Sequence, residues 1–542
     1  GEEWMQQYAA LVKHSRIQEK GLLVPRWLAI CLGHTADGEG ADGSIDWQQT
    51  LPAEWMQRWR QWQQEERVYD LPAALQHLQL RPYQHRGYEW LRLMSEASAG
   101  VILADDMGLG KTLQTICFIQ HLLSQDSNAR CLVVCPASLM YNWQQEFEKF
   151  APHLPVLVHH GAGRSAAQLL ETAVPIVVTS YGTLRQDADV FEQISFACMV
   201  ADESHQIKNP AAQITRAVQQ MKARVRLALS GTPVMNSCND LFAPFQYLMP
   251  GLLGSREFFR REYAYPIEQL QDEEKADQLQ RLLAPFILRR TKQQVAADLP
   301  DKVESVLWCH MDADQRLAYE SIKEQVRSSV LLEVQQKGLE KGKMSILAGL
   351  TKLRQVCNSG ELVKDADVFC ADSIKTRVLI DELQQLIPLH KALVFSQFTS
   401  MLDLLQRDLH AAGIATLRID GSTPAAERQA LVNQFQTDAA APYVMLISLK
   451  AGNAGLNLTA ADYVFLFDPW WNVAVENQAI DRTHRIGQQQ HVFAYRMICK
   501  HTVEEKILQL KERKQKVADT LITTDEGLLQ GITEADLAFL FQ

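Results

Sequence analysis

A glycine-rich turn followed by a lysine and a threonine, Gly108-Leu109-Gly110-Lys111-Thr112, has the residue types needed to hold a phosphate chain. Glycines let backbone N–H groups curl around the phosphates. The lysine ammonium reaches the β- and γ-phosphates as a point charge, and the threonine hydroxyl can ligate Mg²⁺. The apolar run Gly100–Ala104 before the turn and a helix start after it supply the strand–turn–helix context that this chemistry requires. About ninety residues on, Asp202-Glu203-Ser204-His205 closes the apolar run Cys198–Ala201. An acidic pair there would alone read as a helix N-cap. After a phosphate loop it reads as a Walker B pair, with Asp202 placed to hold Mg²⁺ and Glu203 to orient or deprotonate an attacking water, at the strand end where α/β sheets gather ligands.

Other residues could complete such a site. Gln84, in Leu80-Arg81-Pro82-Tyr83-Gln84, offers a donor and an acceptor to an adenine edge, and Asp106 flanks the glycine turn. Ser230-Gly231-Thr232-Pro233 follows another apolar run, Arg226–Leu229. It reads either as a plain turn or as a hydroxyl-bearing coupling loop. Arg482 and Arg485 stand three residues apart, which places them on one face of a helix. Surface ion pairing is the ordinary reading of such a pair. The alternative is a pair of arginine fingers that stabilise transition-state charge on a γ-phosphate when two lobes close.

The elements that must position these residues follow from the apolar pattern. A chain of 542 residues exceeds one core and implies at least two domains. From Leu80, strand-like runs (Gly100–Ala104, Cys131–Cys135, Ile176–Thr179, Cys198–Ala201, Arg226–Leu229) alternate with helix-length segments, the pattern of a doubly wound parallel sheet. Between about residues 239 and 375 the texture turns helical and charged, with no strand series expected. A second set begins at Ala392–Phe395 and continues with Ala415–Ile419, Tyr443–Ile447 and Tyr463–Phe467. The first 79 residues hold six of the eleven tryptophans and are expected to be helical, with no role legible. A start at Gly1 suggests a processed chain or a piece of a longer one.

Composition excludes little. Hydrophobic residues make up 47% and charged residues 22%, ordinary for a globular chain, and no apolar run reaches the length of a membrane span. The ten cysteines are scattered, which reads as buried thiols in a reducing, cytoplasmic setting and as neither a zinc site nor a disulfide framework. Taken alone, a net charge of −10 argues against a nucleic-acid binder, since a basic patch is the usual footprint, but net charge does not report patches. Local basic runs remain at Arg289-Arg290-Thr291-Lys292 and from Lys506 to Lys516, the latter fitting a solvated helix face.

Taken together, these motifs resemble the SWI/SNF-type ATPases of helicase superfamily two, over roughly Leu80 to the C-terminus. The general phosphate-loop pattern has glycine five residues before Gly110. This chain has Asp105 there, as helicase-like motors with a Met-Gly-Leu-Gly turn do. The remaining motifs occur in the family's order: Val134-Cys135-Pro136, Thr179-Ser180-Tyr181, Leu229–Pro233, Val394-Phe395-Ser396-Gln397, Ser448–Leu458 and Asp481–Gln488. The more specific marks are Leu288-Arg289-Arg290-Thr291-Lys292 and Asp468-Pro469-Trp470-Trp471-Asn472.

The resemblance implies an α/β fold of two RecA-like parallel-sheet lobes, with helical protrusions between them and a C-terminal brace helix. The expected divisions are residues 1–79, 80–285 (with a protrusion at about 239–283), 286–375 as linker and second protrusion, 376–500, and 501–542. It further implies ATP and Mg²⁺ as cofactors, with Gly455 joining Gln84, Asp106, Gly108, Gly110, Lys111 and Thr112 around the nucleotide. Double-stranded DNA is the implied partner, gripped through Pro136, Thr179, Ser180, Ser396, Gln397, Lys450 and Trp471, alongside possible protein partners or upstream domains. Asn453 stands where the family commonly has glycine, Val473 where it has proline, and Cys357-Asn358-Ser359-Gly360 lacks a common His-Pro, a change expected to touch only local protrusion packing. Three functions stay open: a translocase on duplex DNA that displaces bound protein, a strand-separating DNA or RNA helicase, and an ATPase switch acting with a partner or fused effector, as in phage defence.

Overall fold

Short runs of β-branched and aliphatic residues that are buried on both faces make the strands of two parallel sheets, as expected where helices cover each side. In the computed structural model, the described residues are 16–18, 21–23, 53–161, 163–231, 238–296, 299–337, 339–363, 373–438, 440–452, 456–469, 473–517 and 534–541. They divide into two compact units, Gly1–Ala297 and Asp298–Gln542. A hairpin of β1 (Arg16–Gln18) and β2 (Gly21–Leu23) comes first in the chain.

The first unit's sheet contains β3 (Val101–Leu103), β4 (Cys131–Cys135), β5 (Val156–His159), β6 (Ile176–Ser180), β7 (Ser195–Ala201), β8 (Lys222–Leu229) and β9 (Ile287–Leu288). Their spatial order is β5-β6-β4-β7-β8-β3-β9, and every pairing is parallel. Because all seven strands run the same way, the segments after β3, β4, β6, β7 and β8 emerge on one edge. The glycine turn, Pro136, Tyr181, Asp202 and Ser230 are therefore gathered there. The second unit's sheet has β10 (Lys302–Cys309), β11 (Ala392–Ser396), β12 (Thr416–Ile419), β13 (Val444–Ser448), β14 (Tyr463–Leu466) and β15 (Val492–Cys499), in the order β10-β15-β14-β11-β13-β12, again all parallel. Strand β11 shows how its faces divide. Val394 packs in one core with Leu446 and Phe465, and Phe395 packs in the other with Ile447 and Leu466.

The region expected to lack strands holds two. β10 escapes the apolar pattern because it is an edge strand whose charges serve as ties: Glu304 pairs with Arg496 of β15 at 2.8 Å and with Lys302 at 2.6 Å. β9 is only two residues long, too short for any periodicity. The helices Ala313–Lys337 and Leu339–Asn358 then pack on one another. Residues 53–79 add the helix Ala53–Gln63, where Trp55 and Trp59 stack at 5.6 Å within the first unit's core. Trp55 Nε1 donates to the Leu93 carbonyl at 2.8 Å, fixing this helix against Pro82–Glu96. Among the described residues no helix is long and apolar enough to cross a membrane.

Gly100, at the entry to β3, sets how closely the chain passes the helix end at Leu248. A Cβ there would stand 2.4 Å from the Leu248 carbonyl oxygen, a backbone atom with no rotamer to yield. Gly100→Ala is expected to lower stability by about 1–3 kcal/mol, read as a fall in the urea midpoint at unchanged slope.

Candidate functional site

The glycine turn folds as its sequence requires. Gly108 and Gly110 both have positive φ, 85° and 82°, and Gly110 caps the helix Lys111–Gln125 from the left-handed region. A Cβ on Gly110 would be strained at that φ and would lie 2.4 Å from Gln84 Nε2, so the Gln84 amide would have to move aside. Gln84 is turned toward the loop: its Nε2 donates to the Leu109 carbonyl at 3.1 Å and its Oε1 accepts from Arg81 N at 3.0 Å. Lys111 Nζ donates to the Asp105 carbonyl at 2.6 Å and to that of Asp106 at 3.3 Å. Thr112 is partly buried in the first turn of the same helix, beside Lys111.

Asp202 and Glu203 lie within electrostatic reach of that ammonium. Burial lowers the Lys111 pKa, against the pull of Glu203, Asp105, Asp202 and Asp106. Burial, and then the neighbouring Glu203 charge, push Asp202 up to about 6. Its carboxylate is held in one orientation: Oδ2 accepts from Trp143 Nε1 at 2.8 Å and Oδ1 from Glu203 N at 2.9 Å, while its carbonyl accepts from the Tyr181 hydroxyl at 2.7 Å. Glu203 itself sits in left-handed backbone, φ 50° and ψ 56°, a conformation costing about 1–3 kcal/mol in a non-glycine residue and common where a side chain must be aimed. Trp143 was not singled out beforehand, because in the sequence it reads simply as one apolar position of the amphipathic helix Met140–Phe150.

The structure engages several of the expected DNA contacts internally. Thr179 is fully buried and its hydroxyl donates to the His159 carbonyl at 2.9 Å. Ser180 Oγ caps the helix Tyr181–Gln186 by accepting from Thr183 N at 3.1 Å. Pro136 opens the turn after β4, its carbonyl accepting from Leu139 N at 2.8 Å. Ser230 follows β8, its N–H donating to the Leu103 carbonyl at 3.2 Å. A Cβ on the adjacent Gly231 would stand 3.6 Å from Lys111 Nζ, which places this turn against the lysine. Thr232, Pro233, Asn453, Gly455, Trp470, Trp471 and Asn472 lie outside the described residues. Lys450, in the short helix Leu449–Gly452, is described by its backbone alone.

In the second unit, Ser396 and Gln397 belong to a buried polar network. Ser396 Oγ donates to Asp468 Oδ2 at 2.6 Å, and Gln397 N to Asp468 Oδ1 at 2.8 Å. Arg354, almost wholly buried, donates to Gln397 Oε1 at 3.0 Å and to the Asp468 carbonyl at 2.9 Å. Asn358 Nδ2 reaches Asp468 Oδ2 at 3.0 Å, and Lys375 Nζ reaches Asn358 Oδ1 at 3.2 Å and Glu504 Oε1 at 2.7 Å. Burial pulls Lys375 down, yet the Glu504 carboxylate together with Cys499 and Cys357 outweighs it and holds the ammonium above its usual range. Burial raises Asp468 against the opposing charge of Arg354. Asn358, expected to matter only for local packing, is thus the link between Lys375 and Asp468. Cys357, Cys499 and Glu504 cluster here too, but the Glu504 carboxylate is committed to Lys375 and to Cys499 N at 2.9 Å.

Arg482 and Arg485 do not share a helical face. The helix Val473–Ile480 ends before them, and both lie in successive turns. The Ile480 carbonyl still accepts from His484 N at 3.2 Å, but the Thr483 carbonyl accepts from Arg485 N at 3.1 Å and from Gln488 Nε2 at 3.2 Å, and Gly487 has φ 105°, so the helical ladder is not carried past Thr483. Arg482 is buried and Arg485 partly so.

Residues 83–362, more than half of the chain, match the SNF2-related domain, and residues 375–487 match the helicase conserved C-terminal domain. The chain belongs to the SNF2-related family. It is similar to an uncharacterized ATP-dependent helicase of Mycoplasma pneumoniae, 36% identical over 489 residues, covering 88% of this chain and 46% of that protein. It is also similar to the putative ATP-dependent helicase/translocase YwqA of Bacillus subtilis, 36% identical over 469 residues, covering 84% of this chain and 50% of that one. A solved Sulfolobus solfataricus SWI2/SNF2 ATPase core in complex with dsDNA is 31% identical, over 87% of this chain and 99% of that one, with a TM-score of 0.43. The chain spans about half the length of the curated relatives it matches.

The raised Asp202 carboxyl gives a stability signature. In the metal-free protein the folded chain keeps this proton up to about pH 6, whereas the unfolded chain releases it near the usual 3.8. The stabilisation is therefore complete below pH 3.8 and is lost as pH rises through 6. A shift of that size is worth about 3 kcal/mol. Asp202→Asn is expected to remove the dependence and to unfold at higher denaturant than wild type at pH 7, measured by urea titration in chelator.

Proposed function

We propose that the protein is an ATP-hydrolysing motor that tracks along double-stranded DNA and remodels or displaces proteins bound to it, without wholesale strand separation. The observation that carries this reading is the meeting of Lys111 with Asp202 and Glu203 at one sheet edge, beside a left-handed glycine turn, in a chain of the SNF2-related family. The names of its relatives, helicase and helicase/translocase, support a nucleic-acid track. A grip built from hydroxyls and backbone amides holds phosphates without reading bases, which suits a motor indifferent to sequence.

On this reading Lys111 leaves the Asp105 and Asp106 carbonyls for the β- and γ-phosphates, while the backbone of Gly108–Gly110 wraps the chain. The Thr112 hydroxyl and the Asp202 carboxylate would hold Mg²⁺. They are hard oxygen donors, and the burial and the Glu203 charge that together raise Asp202 are what a divalent cation would offset. The ion would supply Lewis-acid charge to the transferring phosphoryl group. Glu203, aimed by its left-handed backbone, orients the attacking water and takes its proton. Arg482 and Arg485 are assigned to transition-state charge. For the nucleic-acid contacts, Ser396 and Gln397 are the residues whose posture the Asp468 network sets.

Duplex DNA is expected to stimulate ATP turnover and to support displacement of a triplex-forming strand, with a tailed duplex left paired. Unwinding of that duplex would replace this reading with a helicase, and turnover indifferent to nucleic acid would replace it with a partner-driven switch. Lys111→Ala and Glu203→Gln are expected to lower kcat at least ~10²-fold. Arg482→Ala or Arg485→Ala should lower kcat ~10³-fold with ATP affinity largely kept. Loss of ATP binding with turnover per bound ATP unchanged would contradict the arginines' role.

A further inference from the structure

Asp105 is completely buried where the general phosphate loop has a glycine, and its partner lies far along the chain. Arg290, two residues past β9, donates through Nε to Asp105 Oδ1 at 2.9 Å and through Nη2 to Asp105 Oδ2. The same Nη2 donates to Gln114 Oε1 at 2.8 Å, Gln114 Nε2 donates to Asp105 Oδ2 at 3.2 Å, and Arg290 Nη1 donates to the Tyr83 carbonyl. Backbone bonds repeat the attachment: Ala104 N to the Leu288 carbonyl at 2.7 Å, Asp106 N to that of Arg290 at 2.9 Å, and Lys292 N to Asp106 Oδ2 at 3.0 Å. The far end of the loop is held from the other side, where the Tyr83 hydroxyl and Gln84 Nε2 both donate to the Leu109 carbonyl, at 3.0 and 3.1 Å. Arg290 joins the two clamps. Gly87 leaves room for the joint, since a Cβ there would fall 1.8 Å from Gln114 Oε1 and 2.8 Å from Arg290 Nη2.

We propose that Arg290 is a positioning residue for the nucleotide, acting through Asp105 and Gln114 to set the curve of residues 105–110. This rests on the reading of that loop as the nucleotide site. A glycine loop takes its shape from freedom at each glycine. Here one of those freedoms is replaced by a fork that fixes Asp105 in two directions, and with it the peptide whose carbonyl receives Lys111 Nζ. The guanidinium geometry matters as well as its charge, because an ammonium, with three N–H groups on one atom, cannot repeat the four bonds that Arg290 makes from three nitrogens to Asp105, Gln114 and the Tyr83 carbonyl.

The test uses Arg290→Lys, which keeps the charge, Gln114→Ala, which keeps the ion pair, and Arg290→Gln/Asp105→Asn, which removes both charges. Binding of a fluorescent ADP analogue with Mg²⁺, steady-state turnover and Tm are measured for each. All three are expected to bind the analogue about tenfold or more weakly, with the KM for ATP raised by a similar factor and kcat at saturation within about threefold. The double variant is expected to keep a Tm near wild type. Binding within about twofold of wild type in Arg290→Lys and in the double variant would overturn the inference and leave Arg290 as a fold-stabilising partner only. Lys111→Ala in the same assay separates the two readings. If it binds like wild type, the nucleotide site itself is wrong. If it alone loses binding, only the positioning role falls.

Discussion

A carboxylate closed off from water persists as a charge only while a cation and further hydrogen bonds are held against it. Asp105 is such a group, and much of the first unit's design follows from it. The guanidinium that satisfies it comes from a segment 185 residues later. That segment must therefore return to the sheet, and it does so as β9, the short strand beside β3. The strand that leads into the glycine turn is thus flanked by the strand that leads into the strap over it, and the turn inherits the rigidity of both.

The second unit meets the same constraint with a longer chain of partners. Asp468 follows β14 and is answered by Ser396 at the end of β11 and Gln397 just after it, by Arg354 and Asn358 from the helix Leu339–Asn358, and through Asn358 by Lys375 and Glu504. A network of this kind is costly if any member is left unpaired, so its members hold one another in a single arrangement. It ties the helix Val503–Val517, whose Val503, Ile507 and Leu510 also sit in the apolar core, to the segments at the ends of β11 and β14. Ser396 and Gln397 are for this reason part of the fabric of the unit as well as candidates for binding.

Much of this was legible beforehand. The central strands β4 and β7 declared themselves because strands buried on both faces are continuously apolar. The glycine turn and the Asp202-Glu203 pair were legible because their chemistry depends on adjacent residues. β10 was not, since its alternating charges look like solvated surface until Arg496 is placed opposite Glu304. The spacing of Arg482 and Arg485 pointed to one helical face, but the helix ends at Ile480, and the Thr483 carbonyl is taken by Arg485 N and Gln488 Nε2 where a helix would offer it to Gly487 N. Trp143 offered no signal at all, since its one polar atom matters only because Asp202 lies 2.8 Å away.

By itself, the sequence determined the local chemistry: where a phosphate could be cradled, which residues could carry a metal and a proton, and that two parallel sheets would alternate with helices. Those properties depend on neighbours within a few residues, where spacing converts directly into geometry. The tertiary structure decided which distant groups share a site. Asp105 with Arg290, Asp202 with Trp143, and Asp468 with Arg354 and Asn358 are pairings between residues far apart in the chain. Nothing local distinguishes a solvated charge from a buried one. Only the closed core, by removing water, turns those residues into obligatory partners.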